Sequence, residues 1–187
     1  LKAGCVIAPL FSAFGPDAAR DRMADAGASV LVTAPEQRHK VNQFKAGLPA
    51  LRHIIIASHG HHAPVEDGEL AWDTLMGRAS DAFEIERTGP EDPAVMHYTS
   101  GTTGKSKGAV HVHKAVLGHY ATGKYVLDLH ESDIYWCTAD PGWVTGTSYG
   151  MFAPWTNGVT SLVYEGGFAA SRWYQLIEKH RVTVWYT

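Results

Sequence analysis

Alternation is the feature that most constrains this chain. Short β-branched runs recur at 29–33, 53–57, 109–112, 134–138, 160–164 and 182–186, and stretches with helical spacing lie between them. Ala18, Met23 and Ala26 fall on one face of a helix that Gly15-Pro16-Asp17 would start, and 115–127 and 171–180 also read as helices. Strand and helix in turn predict an α/β fold: layered parallel-sheet units with helices on both faces. In such sheets ligands collect beyond the carboxyl ends of the strands, so the loops that follow strands are where chemistry is sought.

The spacing divides the 187 residues into a first α/β unit at 1–57, a connection at 58–93 and a second unit at 94–187. The connection is rich in Gly, Pro, His and acids, and one short helix is expected at 69–76. The run from Val6 to Phe11 opens the chain and the run from Val182 to Thr187 closes it, so both ends look internal to a longer chain. Lys2 before an apolar patch superficially resembles a secretion signal. Pro9, Asp17 and the lack of a cleavage motif argue against it.

Composition excludes other classes. A hydrophobic content of 45% is too high for disorder. Sixteen basic against nineteen acidic residues, a net charge of −3, disfavour nucleic acid. Apolar runs fall short of the roughly 18 residues of a membrane span. Two cysteines, Cys5 and Cys137, do not make a disulfide scaffold and point to a reducing, cytoplasmic compartment. Neither nucleic acid nor membrane is an expected partner.

The charge is unevenly spread. From Pro93 to Leu127 there is no Asp or Glu, while Lys105, Lys107, Lys114 and Lys124 give four positive charges; the remainder, with 12 basic and 19 acidic residues, carries −7. Inside the window lies Tyr98-Thr99-Ser100-Gly101-Thr102-Thr103-Gly104-Lys105-Ser106-Lys107-Gly108. Its glycines allow a tight turn that aims backbone N–H groups inward. Thr99, Ser100, Thr102 and Thr103 add hydroxyls, and Lys105 and Lys107 add charge. Hydrogen bonds to a charged group contribute about 1.5–3 kcal/mol each, so such a set suits a polyphosphate. The plainer reading is a polar surface turn with solvated lysines. A Walker A loop requires G-x-x-x-x-G-K-[ST]. Gly104-Lys105-Ser106 ends that pattern, but Thr99 stands where its first glycine belongs, and the motif fails.

The segment YTSGTTGKSKG instead resembles the phosphate-binding signature of the AMP-forming, adenylate-forming enzymes, which include acyl-CoA synthetases, luciferases and peptide-synthetase adenylation domains. Ser106 stands where that signature usually has Pro between its lysines, which leaves every donor in place. Residues 8–14 and 30–35 are similar to early sheet elements of the acetyl-CoA synthetase branch. The run Thr138-Ala139-Asp140-Pro141-Gly142-Trp143-Val144-Thr145-Gly146 resembles that branch's TAD-x-GWVTG segment. The likeness covers nearly the whole chain and is weakest over 58–90.

The resemblance implies that a carboxylate is joined to ATP with loss of pyrophosphate, and that coenzyme A then displaces AMP. It implies Mg²⁺ and positioned donors at the phosphates, with Thr99, Ser100, Gly101, Thr102, Thr103, Gly104, Lys105 and Lys107 serving the β- and γ-phosphates. It also implies that Trp143, Val144 and Thr145 wall the acyl pocket, Thr145 lying toward coenzyme A. A bulky wall favours acetate, then propionate; from composition alone Trp143 and Val144 would be ordinary core residues. A longer-chain acyl-CoA synthetase and a non-catalytic nucleotide-binding remnant are the alternatives. The family's acidic T-E element, ribose-binding Asp, adenine-binding strand-loop, hinge and C-terminal domain with its activating lysine have no counterpart here. The implied chain is therefore an internal part of the large N-terminal domain, holds no catalytic residue or metal ligand of its own, and is inactive alone.

Other residues carry less. His59, His61 and His62 lie in a polar loop without a partner at helical spacing and read as solvated. His111 and His113 project from one strand face and read as support for the loop or as core histidines. Asp140, at the carboxyl end of a strand, reads as a loop-structuring residue. Cys137 lacks a flanking lysine and reads as a small buried residue.

Overall fold

The computed structural model describes residues 1–58, 64–100 and 106–187, Ser100 through its main chain only. The first unit builds a parallel sheet in the order β1-β2-β3, from Val30–Thr33, His53–Ile56 and Glu69–Ala71. Helix α1 (Pro16–Asp25) begins as the sequence predicts, with Pro16 in its first turn and Asp17 at its positive end. It stops in a Schellman turn: the Ala28 amide donates to the Met23 carbonyl and the Gly27 amide to Ala24, with Gly27 at φ +58°. Met23 from α1, Val41 and Phe44 from α2 (Arg38–Phe44), Leu48, and Ile54 and Ile56 from β2 form one core.

The connection is more structured than its composition suggests. Residues 69–71 are strand β3, not the start of a helix, and α3 runs over Trp72–Arg78. The reason lies in Glu69. Its buried carboxylate accepts from Arg38 Nε and from the Glu66 amide, and Arg38 Nη2 reaches the Pro64 carbonyl at 2.6 Å. Those bonds pin 64–69 against α2, and β3 completes the sheet. His59, His61 and His62 lie outside the described residues.

The second unit contains two sheets. Strands β4 (Pro93–Ser100) and β5 (Ser106–Val112) pair antiparallel, with Thr99 opposite Lys107 and Ser100 opposite Ser106. The N-terminal segment bridges to β4 through Ile7 and Val95. This hairpin departs from the expected all-parallel pattern, and the ends of the Tyr98–Gly108 segment that read as loop are strand. After it comes α4 (Val116–Tyr125), preceded by a 3-10 turn at His113–Ala115.

The last sheet is parallel, ordered β7-β6-β8, from Thr160–Ser161, Ile134–Cys137 and Val184–Tyr186. Strands β7 and β8 are shorter than their β-branched runs. Central β6 is buried on both faces: Tyr135 joins Leu129 and Val159, and Trp136 packs on Trp173 and Trp185. Trp173 sits on α7 (Ala170–His180). The region between β6 and β7, which carried no helix prediction, is one helical run: α5 (Val144–Thr147), a π-helical turn (Ser148–Phe152) and α6 (Ala153–Thr156). Gly146, Gly150, Pro154 and three threonines hide it from propensity reasoning. Among the described residues no helix is long and apolar enough to cross a membrane.

Candidate functional site

Strands β4 and β5 are anchored to α1. Tyr98, 7% exposed, donates its hydroxyl to Asp25 Oδ2 of α1 at 2.8 Å. Burial, then the Asp25 bond and charge, push that phenol well above its ordinary range, so it remains a donor. Arg22 of α1 lies 4.1 Å from the Phe14 ring centroid and 5.9 Å from that of Tyr98. A Cβ on Gly108, opposite Tyr98, would fit tightly, 3.1 Å from Met96 Sδ and 3.3 Å from the Tyr98 ring. No sequence signal linked Asp25 or Arg22 to Tyr98, because the contact spans more than seventy residues.

At the end of this strand pair, Thr99 and Lys107 are exposed on adjacent strands. Neither side chain has a hydrogen bond or ion pair with another described residue. Ser100 is described in its main chain, and Gly101, Thr102, Thr103, Gly104 and Lys105 lie outside the described residues. Lys114, from the same basic window, is ion-paired with Glu91.

A second cluster forms after β6. Asp140 accepts from the Gly142 amide at 2.7 Å and from the Ser12 hydroxyl at 3.1 Å, the loop-structuring role read from its position. The turn closes tightly enough that two glycines are steric requirements. A Cβ on Gly142 would lie 2.3 Å from the Leu10 carbonyl oxygen, and one on Gly146 would lie 1.9 Å from that of Asp140. Buried Thr147 donates to the Pro141 carbonyl at 2.5 Å, tying α5 back to the turn.

This turn presents Trp143, Val144 and Thr145. Trp143 is 46% exposed and packs edge-on against Phe11, with Phe14 alongside. It stands on an open face and is not a core residue. Val144 and Thr145 are half-buried at the start of α5. Cys137 is a half-buried thiol whose pKa burial raises, in line with an unreactive role.

Sequence reasoning passed over a cavity of about 180 Å³ behind the hairpin, lined by His97, His111, His113, His119, Phe152 and apolar residues. Burial, then His111 and His119, hold His97 below the ordinary imidazole range; burial and His111 do the same for His119. The clue was available: four histidines at 97, 111, 113 and 119 share a window without acids.

Comparison with known proteins agrees with this fold. The family model described as AMP-binding enzyme matches residues 1–187. An acetyl-coenzyme A synthetase of Bacillus subtilis (strain 168) is 45% identical over 187 residues, covering 100% of this chain and 32% of that protein. Acetyl-coenzyme A synthetase 2 of Pseudomonas aeruginosa is 37% identical over 199 residues, covering 98% and 31%. The chain thus spans about a third of the length of these relatives. Among solved structures, an acyl-CoA synthetase of Brucella canis superposes with a TM-score of 0.87 at 31% identity, over 98% of this chain and 33% of the other. An anthranilate CoA ligase in complex with anthranoyl-AMP gives a TM-score of 0.90 at 26% identity, over 100% and 36%.

Proposed function

The chain belongs to the AMP-binding enzyme family, and from that premise we propose that the protein carrying it activates a short-chain carboxylate, acetate first and propionate next, as its coenzyme A thioester. A carboxylate oxygen attacks the α-phosphorus of ATP, the bond to the bridging oxygen breaks, and pyrophosphate leaves. The thiolate of coenzyme A then adds to the acyl carbon of the adenylate, and AMP departs with the electron pair of the acyl–oxygen bond. The observation that carries this reading is the hairpin end, where Thr99 and Lys107 stand opposite each other, exposed, in a window free of carboxylates. In this reading Thr99, Ser100, Gly101, Thr102, Thr103, Gly104, Lys105 and Lys107 hold the β- and γ-phosphates and offset the charge that builds as pyrophosphate leaves. Trp143, Val144 and Thr145 wall the acyl group, Thr145 toward the thiol.

Among the described residues no group of three or more His, Cys, Asp or Glu side chains could hold a metal ion. The carboxylate-activating lysine belongs elsewhere in the protein. The reading keeps the division at 1–57, 58–93 and 94–187 within one N-terminal domain, and it places the enzyme in the cytoplasm.

Acetate-dependent ATP–pyrophosphate exchange tests the proposal. The full-length protein is expected to catalyse exchange, faster with acetate than with propionate, and the isolated 187-residue chain to give none. No exchange by the full-length protein with any short carboxylate would overturn it.

A further inference from the structure

One short segment touches both parts of the candidate site. Residues 7–14 start beside β4, where the Ile7 amide donates to the Ala94 carbonyl at 3.0 Å and the Met96 amide donates to the Ile7 carbonyl at 2.8 Å. They finish against the turn after β6. Phe11 packs edge-on to Trp143 with ring centroids 6.1 Å apart, and Phe14 lies alongside it at 6.5 Å. Phe11 and Phe14 meet each other edge to face at 5.6 Å. Helix α1 follows at once and turns back on this aromatic group. Its Arg22 guanidinium sits over Phe14, 4.1 Å from the ring centroid, with the Tyr98 ring at 5.9 Å. One turn later on the same helix, Asp25 accepts the Tyr98 hydroxyl at 2.8 Å. Arg22 is half-buried. One terminal nitrogen, Nη1, donates to the Ala18 carbonyl at 2.7 Å, while Nε is buried without a hydrogen bond among the described residues. The guanidinium is therefore located by its own helix and by aromatic faces.

We propose that Arg22 is a positioning residue for acyl selection: it clamps Phe14, and through Phe14 it sets the ring of Trp143 against strand β4. The proposal rests on the functional reading above for the role of Trp143, and its contacts stand without that reading. Each link is a direct contact. Tyr98 is buried in β4 and bonded to Asp25, so α1 is fixed to that strand at this point. Arg22, three residues earlier on the helix, carries the same fixed position to Phe14, and Phe14 touches Trp143. The backbone of the turn is held separately, by the Asp140 bonds to Ser12 and Gly142. What Arg22 governs is thus the setting of the Trp143 ring, which is 46% exposed and free to swing once Phe14 moves. Only a flat cation fills this place: an apolar side chain keeps the packing without the charge, and lysine keeps the charge without the face. An acyl wall discriminates by size, so a loosened Trp143 costs acetate, the smaller acid, part of its advantage over propionate.

The test uses the full-length enzyme and carboxylate-dependent ATP–pyrophosphate exchange, with acetate and with propionate. Arg22→Met keeps the stem and removes the cation. It is expected to lower kcat/KM for acetate about fivefold, the equivalent of one lost cation–π contact, and to lower the acetate-to-propionate ratio of kcat/KM about threefold. Phe14→Leu is expected to lower that ratio by a similar factor, and the double variant no further, because both changes break the same contact. A spectroscopic signature reads the clamp without turnover. In enzyme labelled with 5-fluorotryptophan, the fluorine resonance that disappears in Trp143→Phe is expected to move in Arg22→Met while the other resonances stay in place. An equal fall for both acids in folded Arg22→Met is what a merely structural residue would give, and it would overturn the proposal. So would losses that multiply in the double variant, or an unmoved Trp143 resonance. If Arg22→Met does not fold, Arg22→Lys decides by the same ratio, expected to fall about twofold, and by the same resonance. No exchange by the unmutated enzyme with any short carboxylate would overturn the functional reading, and the Trp143 resonance would still decide whether Arg22 sets that ring.

Discussion

In the β1-β2-β3 unit the buried carboxylate of Glu69 is closed off by Arg38 and by the Glu66 amide, whereas at the end of the β4–β5 hairpin Thr99 and Lys107 face solvent without a described partner. The β7-β6-β8 sheet behaves like the first: Asp133 accepts from the His130 amide at 2.7 Å and from the Thr183 hydroxyl at 2.8 Å. A scaffold satisfies most of its buried polar groups internally because a buried unpaired one is costly. Donors and charge that the fold leaves exposed and unpaired remain available to water or to a ligand. The contrast separates the residues that make the fold from those that the proposed function assigns to a ligand, and it can be broken from either side.

The largest effect is expected at Gly146. Its Cβ would fall 1.9 Å from the Asp140 carbonyl oxygen and 2.4 Å from the carbonyl carbon, both backbone atoms that no rotamer change can clear. Gly146→Ala must therefore open the turn that carries Trp143. Overpacking costs typically 1–3 kcal/mol and occasionally more, and a backbone clash belongs at the upper end, about 3 kcal/mol or above. Urea unfolding of the full-length protein checks it. A loss below about 1 kcal/mol would mean that the turn relaxes and that Asp140 does not fix it.

Next comes the ion pair. Burial raises the Glu69 pKa, but the Arg38 hydrogen bond, the Glu66 amide and the charges of Arg38 and Lys45 outweigh it, leaving the carboxyl below its ordinary value of 4.5. The sign follows: a carboxyl whose pKa is depressed on folding contributes stability above about pH 4.5, and that stability fades as pH falls below it. Glu69→Gln removes the charge and leaves Arg38 partly buried without a counter-ion, expected to cost about 2–3 kcal/mol at pH 7, less than for a fully buried pair because Arg38 retains some water. Unfolding measured at pH 7 and at pH 3.5 is expected to show the difference shrinking at the lower pH. ATP kinetics of the folded variant are expected to be unchanged, which is what a scaffold residue predicts.

How much of this was legible in the sequence depended on the range of the interaction. Local signals worked: Gly15-Pro16-Asp17 started α1, and β-branched runs located β1, β2 and β6. The family signature at 98–108 was legible as a motif, yet its strand ends were not, because glycine and hydroxyl residues argue for loop until a partner strand pairs with them. Strand β3 was missed because Glu69 owes its conformation to Arg38, thirty-one residues away. The helical run after Trp143 was missed because glycine, threonine and proline are poor helix formers, and here packing decides instead. The histidine cavity was missed for the same reason as Tyr98–Asp25: residues on β4, β5, α4 and the π-helical turn meet only once the chain has folded.

Lys107 turns the comparison around. It is exposed, lies opposite Thr99 on the outer part of the hairpin, and makes no ion pair with a described residue, so the fold gains little from its charge. Lys107→Ala in the full-length enzyme is expected to leave the thermal midpoint within about 2 °C, as for an exposed substitution worth under about 0.5 kcal/mol. In the proposed reading the same change removes one charge-assisted contact to the phosphates, about 1.5–3 kcal/mol, and is expected to lower kcat/KM for ATP about 10- to 100-fold. A contact made equally in the bound and transition states raises KM alone. One that strengthens as pyrophosphate departs lowers kcat as well, so the division between the two constants says when Lys107 acts. Unchanged ATP kinetics in a folded Lys107→Ala protein would remove the hairpin from the ligand side of the comparison and return it to the scaffold. A loss of stability matching that of Glu69→Gln would do the same by the opposite route.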